Sequence, residues 1–256
     1  MSASKTDQTL STIPEPVEQH SITRSLALHL LPGVFILVLF VASAPLVIRA
    51  GFPPMFAITT IGITFGLGFQ VWHLYNEGRK RNGKWSLEGI VLYRNPLPLW
   101  QYFVLIPLFV VIAFIIDGLT GPIKAALLNQ LPWLPEWFEL RNISLLAAYP
   151  RPVLVITFAC YLLLNGIAAP LVEELYFRGY LMPRLSRFGR WTPVIETALF
   201  TIYHFWQPYY WITQFFFMLP LVCVVFWKRN IKLGILVHMT LNLLGGLLTM
   251  ALVFGK

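Results

Sequence analysis

Long apolar runs, separated by short charged stretches, constrain this chain more than any other feature of its sequence. Hydrophobic residues make up 57% of the 256 residues and charged residues only 12%, which is about half the charged share of a soluble domain. About 20 apolar residues cross the ~30 Å hydrocarbon core of a bilayer as a helix. Seven runs are apolar enough to do so, at 26–48, 54–75, 100–116, 153–181, 192–206, 211–227 and 233–254. The sequence therefore predicts an all-α polytopic membrane protein with about seven transmembrane helices.

Lysine and arginine concentrate in alternate connections between the predicted spans, which sets the expected orientation. The connections after the second, fourth and sixth spans carry the basic clusters, for example Arg184, Arg187 and Arg190 after the fourth. Basic residues are sparse on the opposite side of the zigzag. Because basic loops stay in the cytoplasm, we expect the N-terminus inside and the C-terminus outside.

The chain is expected to consist of a polar tail and one membrane domain. Residues 1–24 are polar and include Pro14 and Pro16, which predicts a flexible cytoplasmic tail without a cleaved signal peptide. Residues 25–256 then form a single transmembrane domain. The longest outside connection, 117–150, contains the stretch LPWLPEWFELR. Its mixed aromatic and charged side chains favour a helix in the membrane interface over a lid on a substrate entrance.

Charge and cysteine content exclude other classes of protein. The net charge of +8 comes from loops that determine topology, so it does not indicate nucleic-acid binding. Cys160 and Cys223 lie inside apolar runs, which predicts buried thiols rather than a disulfide framework or a zinc-binding pair.

Seven polar side chains interrupt the apolar spans in the second half of the chain. A charged residue near the bilayer centre costs roughly 2.5–3.5 kcal/mol on insertion scales, so such residues normally face the protein interior and mark function. The alternative to a functional role is a structural one, in which the charges form an ion pair at a helix end or a histidine hydrogen-bonds to a neighbouring helix. These residues are Glu173, Glu174, Arg178, Glu196, His204, His238 and Asn242.

Helical spacing separates the roles of the two adjacent glutamates. Glu174 and Arg178 are four residues apart, so they share a helix face and can pair. Glu173 is turned ~100° away from its neighbour and is left free to face a cavity. His238 and Asn242 lie one turn apart on another helix. We expect Glu196 to pair with a basic residue near the inner surface, Arg187 or Arg190, rather than to act in catalysis.

Depth in the membrane brings these residues together. At ~1.5 Å per residue, Glu173, His204 and Asn242 each lie ~20 Å from the basic cluster at the end of their helix. Three helices thus deliver polar groups to a similar level, which predicts one polar cavity. The fourth span is too long for one straight crossing, and Pro170 is the expected break or kink.

This set of side chains is suited to hydrolysis of an amide bond. A carboxylate and a neutral imidazole can deprotonate a shared water, and we assign this role to Glu173 and His204. The histidine and asparagine of the last span, His238 and Asn242, offer N–H donors to a developing oxyanion. Zinc held by Glu173, His204 and His238 is the rival hypothesis. It is weakened because no H-E-x-x-H motif occurs and because Arg178 competes for Glu174.

The polar residues also carry a resemblance to a known family. EELYFR at 173–178, FTIYH at 200–204 and HMTLN at 238–242 resemble the motifs EExxxR, FxxxH and HxxxN of the CPBP family. This family, also called Abi, comprises CAAX proteases and bacteriocin-processing proteins, and the resemblance covers 153–256 as a catalytic core. The resemblance implies that Glu173 is the catalytic glutamate and that Glu174 and Arg178 form its supporting pair. It further implies that His204 is the second water-activating residue and that His238 and Asn242 form the oxyanion pair.

The resemblance implies an intramembrane endopeptidase similar to the type II CAAX prenyl endopeptidases. Such relatives were labelled metalloproteases, whereas their glutamate-dependent mechanism argues against a catalytic metal, so we expect no cofactor. The expected partners are the lipid bilayer and a peptide or membrane-protein substrate, and no oligomeric state is predicted. The loop-poor chain favours the bacterial inner membrane.

Two other functions remain open from the sequence. A catalytically silent scaffold or bacteriocin-immunity factor could keep the same fold. A transporter could use Glu173, His204 and His238 as a proton relay, although the sequence contains no inverted repeat of paired broken helices.

Overall fold

A computed structural model describes residues 17–255, and these residues are almost entirely helical. The described part of the chain contains no β-strand, only an isolated bridge between Arg94 and Asn230. Six helical segments are long and apolar enough to cross a membrane: Ile22–Arg49, Pro54–Asn82, Leu99–Asn129, Arg151–Tyr203, Pro208–Lys228 and Ile231–Phe254. The all-α polytopic architecture predicted from the sequence is therefore confirmed.

The fourth of these segments contains two of the predicted spans, which is why six segments replace the seven expected. A 3₁₀-helical stretch, Met182–Trp191, joins the two helices without an extended connection. Gly189 breaks the helical geometry inside it, with φ 55° and ψ −127°. Positive φ is costly for residues with a Cβ, so glycine permits the turn here. The predicted spans at 153–181 and 192–206 thus exist as separate helices on either side of this turn.

The helices are numbered here in chain order. The first four are α1 (Ile22–Arg49), α2 (Pro54–Asn82), α3 (Leu99–Asn129) and the short α4 (Ile143–Ala147). Helix α5 is built from four consecutive stretches, Arg151–Leu163, Leu164–Ala168, Ala169–Glu173 and Glu174–Leu181, of which the second and fourth are π-helical. The last three are α6 (Thr192–Tyr203), α7 (Trp211–Lys228) and α8 (Ile231–Phe254).

Helix α5 continues through Pro170, so this proline does not break the long span. The π-helical turn Leu164–Ala168 directly precedes the proline-containing stretch Ala169–Glu173. A wider turn relieves the clash between a proline ring and the carbonyl of the preceding turn. The span ends instead at Met182, where the 3₁₀-helical stretch begins.

The bundle exposes apolar side chains and buries charged ones, the reverse of a soluble domain. On α3, Leu99, Phe103 and Leu119 are 70%, 73% and 73% exposed, respectively. Arg178 and Glu196, by contrast, are fully buried. Because lipid tails solvate apolar groups and not charges, this distribution is the one a bilayer requires.

The basic connections meet at one end of the bundle. The His20 backbone N–H, just before α1, donates to the Arg184 carbonyl at 3.1 Å. The Ile231 N–H at the start of α8 donates to the Tyr93 carbonyl, between α2 and α3, at 2.8 Å. The connections after the second, fourth and sixth predicted spans therefore share this end, as the charge pattern requires. The assignment of this end to the cytoplasm stays a prediction.

The predicted flexible tail overlaps the start of the described chain. Its residues 1–16 lie outside the described part. Among residues 17–24, His20 is buried, the Gln19 side chain donates to the Pro183 carbonyl at 3.2 Å, and α1 already begins at Ile22. The division of the chain at residue 24 stays a prediction.

Candidate active site

A cavity of about 430 Å³ lies inside the bundle, between the buried polar residues and the end formed by the 117–150 segment. Glu173, His204, His238 and Asn242 all line it. The first three of these residues are only 5%, 7% and 6% exposed, respectively. The four residues that the sequence analysis put forward as catalytic thus meet at one cavity, although they come from three different helices or helix ends.

The change from α-helix to π-helix in α5 separates the two adjacent glutamates. Glu173 ends the stretch Ala169–Glu173, and Glu174 begins the π-helical stretch Glu174–Leu181. Glu173 faces the cavity. Glu174 turns away from it and lies 3.2 Å from Arg178, measured from Oε1 to Nη1. This is the division that the ~100° offset between neighbouring helical residues predicts.

The Glu173 carboxylate is held on one side and left open on the other. Tyr203 donates its hydroxyl to Glu173 Oε1 at 3.1 Å, and Gln70 in turn donates to the Tyr203 hydroxyl at 3.1 Å. The other oxygen, Oε2, lies 3.9 Å from His238 Nε2. This separation is longer than a hydrogen bond. Oε2 therefore remains accessible to a third group in the cavity.

The imidazole of His238 lies between the two carboxylates. Its Nδ1 is 3.1 Å from Glu174 Oε1, and its Nε2 faces Glu173. A neutral imidazole carries one N–H, and the hydrogen bond at one nitrogen fixes which nitrogen holds it. Donation from Nδ1 to Glu174 therefore leaves Nε2 as the cavity-facing nitrogen.

Behind this site, one buried arginine joins two buried carboxylates. Arg178 Nε lies 3.4 Å from Glu196 Oε1, and its guanidinium stacks on the Phe200 ring, 3.9 Å from the centroid. Glu174 completes the cluster, and all three charged side chains are almost fully enclosed, at 0–1% exposure. Two carboxylates around one guanidinium offset part of the cost of burying each charge.

The expectation that Glu196 pairs with Arg187 or Arg190 at the surface is wrong. Glu196 lies one turn inside α6, on the face that packs against α5, and its partner is Arg178. The expectation rested on the position of Glu196 two turns before His204 and about 80° around the same helix. The turn at 182–191 brings α6 back against α5 and directs this face into the core.

A glycine on α8 makes room for the supporting carboxylate. A Cβ at Gly234 would collide with Glu174 Oε2. Glycine therefore allows α8 to approach α5 closely enough for His238, one turn further along, to reach Glu174.

The second candidate imidazole, His204, lies at the end of α6. It follows the last helical residue, Tyr203, and its Nδ1 is 2.9 Å from the Phe200 carbonyl. The Gln214 amide lies 3.0 Å and 3.1 Å from the two ring nitrogens. Trp211 donates to the His204 carbonyl at 3.0 Å. Helix α7 thus holds both the ring and the backbone of this residue.

Asn242 is anchored across the cavity to α5. Its Nδ2 donates to the Asn165 carbonyl at 2.9 Å. Asn165 belongs to the π-helical turn Leu164–Ala168, where the backbone carbonyls are displaced from the α-helical pattern. A carboxamide has two N–H donors, so one remains for the cavity.

Three residues at the site were not among the sequence candidates. Tyr203 contacts Glu173, Gln214 contacts His204, and Gln70 supports Tyr203. Both glutamines are isolated amides inside apolar spans. A polar group at membrane depth is the criterion that selects Asn242, and both glutamines satisfy it as well.

The zinc hypothesis does not fit the arrangement of donors. Among residues 17–255, no group of three or more histidine, cysteine, aspartate or glutamate side chains forms a cluster able to hold a metal ion. Zinc–ligand bonds are about 2.0–2.2 Å long, and the proposed ligands Glu173, His204 and His238 do not converge on such a point. We derive no step through a metal.

Comparison with known proteins finds one similar family for the second half of the chain. Residues 155–244, which contain all of the motif residues, match the family model Rce1-like, described as type II CAAX prenyl endopeptidase Rce1-like. No curated protein and no solved structure matches the chain. The three motifs lie in order within this match, which supports the resemblance to the CPBP family of CAAX-type proteases.

Proposed function

We propose that this protein is an intramembrane endopeptidase that hydrolyses a peptide bond with water activated by Glu173 and His204. The observation that carries the proposal is that four polar side chains from distant segments line one cavity below the 117–150 segment. The match to the Rce1-like family supports it, since that family is one of intramembrane CAAX-type proteases.

In the proposed step, Glu173 Oε2 accepts a proton from water while the water oxygen attacks the scissile carbonyl carbon. The proton then passes to the leaving amine as the C–N bond breaks, so atoms and charges balance. Tyr203 orients the carboxylate through the other oxygen. His204, a neighbour in the same cavity, assists in orienting the attacking water.

The tetrahedral intermediate needs donors aimed at its oxyanion. Asn242 supplies the amide hydrogen that its bond to Asn165 leaves free. His238 supplies Nε2–H. Because Nδ1 donates to Glu174, Nε2 carries a hydrogen only when the ring is doubly protonated, so this role requires the imidazolium form.

The cavity walls suit a substrate with apolar side chains. Phe114 of α3 and Phe217 and Met218 of α7 line the same space as the polar residues. We therefore propose a membrane-associated peptide or membrane protein as the substrate, and the bacterial inner membrane as the site of action. The apolar walls favour burial of such a chain by the hydrophobic effect.

The proposal is tested by comparing membrane proteomes of cells that express either the wild-type protein or Glu173→Gln. We expect new peptide termini in the wild-type membranes that are absent with the variant, and these termini identify the substrate. Identical termini in both strains, with full complementation by the variant, would instead favour a silent scaffold or immunity factor.

Metal removal provides a second prediction. We expect the purified protein to keep its cleavage activity, within about twofold, after incubation with 1,10-phenanthroline and dialysis. The reason is that the candidate donors do not converge as zinc ligands. Activity that is lost on chelation and restored by added zinc would contradict the metal-free mechanism.

Removal of the Tyr203 hydroxyl should slow cleavage without unfolding the protein. Tyr203→Phe takes away the donor that holds Glu173, and a hydrogen bond to a charged group contributes about 1.5–3 kcal/mol. We expect initial rates to fall roughly 10- to 100-fold. Tyr176→Phe is the matched control, since that residue is also buried but its hydroxyl donates to the Leu28 carbonyl away from the cavity. Equal cleavage rates for the two variants would show that the Tyr203 hydroxyl does not position Glu173.

A further inference from the structure

The cavity that holds the reacting groups also contains two cations near its outer end, Lys124 and Arg141. Lys124 lies 3.9 Å from Asp117 and above the Tyr210 ring, so its charge is already offset. Arg141 differs. Among residues 17–255, no carboxylate lies within 4.0 Å of its guanidinium, and the side chain is exposed.

Three contacts hold Arg141 and its loop in place. Its Nη2 donates to the Tyr161 hydroxyl at 3.0 Å, and its Nη1 lies against Gly245 of α8, 3.7 Å from where a Cβ would be. The loop itself is anchored, because Tyr209 donates to the carbonyl of buried Phe138 at 3.1 Å. The adjacent carboxylate, Glu139, accepts from Asn142 rather than from Arg141. The guanidinium is therefore fixed in position and keeps donors free.

The two anchor residues locate Arg141 relative to the reaction centre. Gly245 follows Asn242 by three residues on α8, a rise of about 4.5 Å, and follows His238 by seven, about 10 Å. On α5, Tyr161 precedes Asn165, the partner of Asn242, by four residues, about 6 Å. Two antiparallel helices thus place the guanidinium one turn beyond the proposed oxyanion site, on its outer side.

We propose that Arg141 binds a carboxylate of the peptide substrate, two to three residues away from the bond that is cut. This inference rests on the proposed protease function of the cavity. Along α8, Gly245 lies about 7.5 Å from the midpoint between His238 and Asn242 and about 10 Å from His238. An extended peptide advances about 3.3–3.6 Å per residue, so these distances correspond to two or three residues. A guanidinium presents a fork of donors that matches a carboxylate, and it stays charged at every physiological pH.

The carboxylate can come from two sources, the free C-terminus of the substrate or an aspartate or glutamate side chain. Two synthetic peptide libraries with identical sequences distinguish them, one with free carboxyl termini and one with terminal amides. Cleavage sites are mapped by mass spectrometry for the full-length protein in nanodiscs. The variants are Arg141→Met, Arg141→Lys and Arg151→Met. Arg151 is the matched control, since it is an exposed arginine near the same end whose guanidinium packs over Phe254 outside the cavity.

The expected wild-type profile favours a carboxylate two or three residues from the cut. If the preference disappears with amidated peptides, Arg141 binds the free C-terminus. If the preference follows the position of aspartate or glutamate in both libraries, Arg141 binds an acidic side chain. In Arg141→Met the preference should vanish, with kcat/KM on the preferred peptides falling roughly 10- to 100-fold. Peptides without the carboxylate should be cut at unchanged rates. Arg141→Lys should retain part of the preference and Arg151→Met all of it.

Two outcomes overturn the inference. Arg141→Met could keep the wild-type preference, or it could lower the rates for all peptides equally, which would show a structural role. Failure of the proposed function itself looks different. In that case the wild-type protein would cut neither library above the level of Glu173→Gln.

Discussion

Glu173→Gln should abolish peptide cleavage, with a rate at least ~100-fold below wild type, while the protein still folds and inserts. General base catalysis contributes about 10²–10⁴-fold, and glutamine cannot accept the proton from water. The substitution preserves shape, and the glutamine carbonyl can still accept the hydrogen bond from Tyr203. The measurement is the initial rate on a peptide identified from the membrane proteome, together with the melting temperature.

Glu136→Gln provides the control for this prediction. Glu136 is an exposed carboxylate of the 117–150 segment, near the end of the bundle where the cavity lies, but it does not line that cavity. Its variant should cleave at the wild-type rate. Turnover of Glu173→Gln at the level of this control would refute the proposed mechanism, because no other carboxylate of the set faces the cavity with an open oxygen.

Among the variants considered, Arg178→Gln should lower the stability of the fold the most. Both Glu174 and Glu196 would lose their cationic partner inside the bundle, where all three side chains are almost fully enclosed. Breaking a buried ion pair costs about 3–5 kcal/mol. At roughly 2–4 °C per kcal/mol, the melting temperature should fall by roughly 6–20 °C. The measurement is thermal unfolding of the detergent-solubilised protein.

A second substitution should rescue part of this loss. In the double variant Arg178→Gln with Glu196→Gln, one of the two unpaired carboxylates is replaced by a neutral amide. We expect its melting temperature to lie above that of Arg178→Gln alone. An unchanged melting temperature in the single variant would show that the buried cluster contributes nothing to the fold.

The fold class and the meeting of the motif residues followed from simple periodicities. Apolar runs gave the helices, and the loop charges grouped the connections that the structure brings to one end, as the contact between His20 and Arg184 shows. Helical spacing separated Glu173 from Glu174, since neighbouring side chains on a helix point ~100° apart. These inferences used only the order of residues along the chain and the regular geometry of single helices.

The errors and omissions concern contacts between helices, which spacing along one helix does not encode. Glu196 was assigned to the surface because the return of α6 against α5 was not foreseen. Gln214 was passed over because its importance depends on its packing against His204 from α7. The turn at Gly189, which joins two predicted spans without an extended connection, depends on one local backbone conformation.

Helix α8 carries four consecutive contacts on one side: Gly234 against Glu174, His238 between the carboxylates, Asn242 on Asn165 and Gly245 under Arg141. They are spaced four, four and three residues apart, which follows a single stripe along the helix. A rotation of α8 about its axis would therefore displace all four contacts at once. Such a rotation would therefore change peptide hydrolysis and peptide selection together, because both depend on residues of the same helix face.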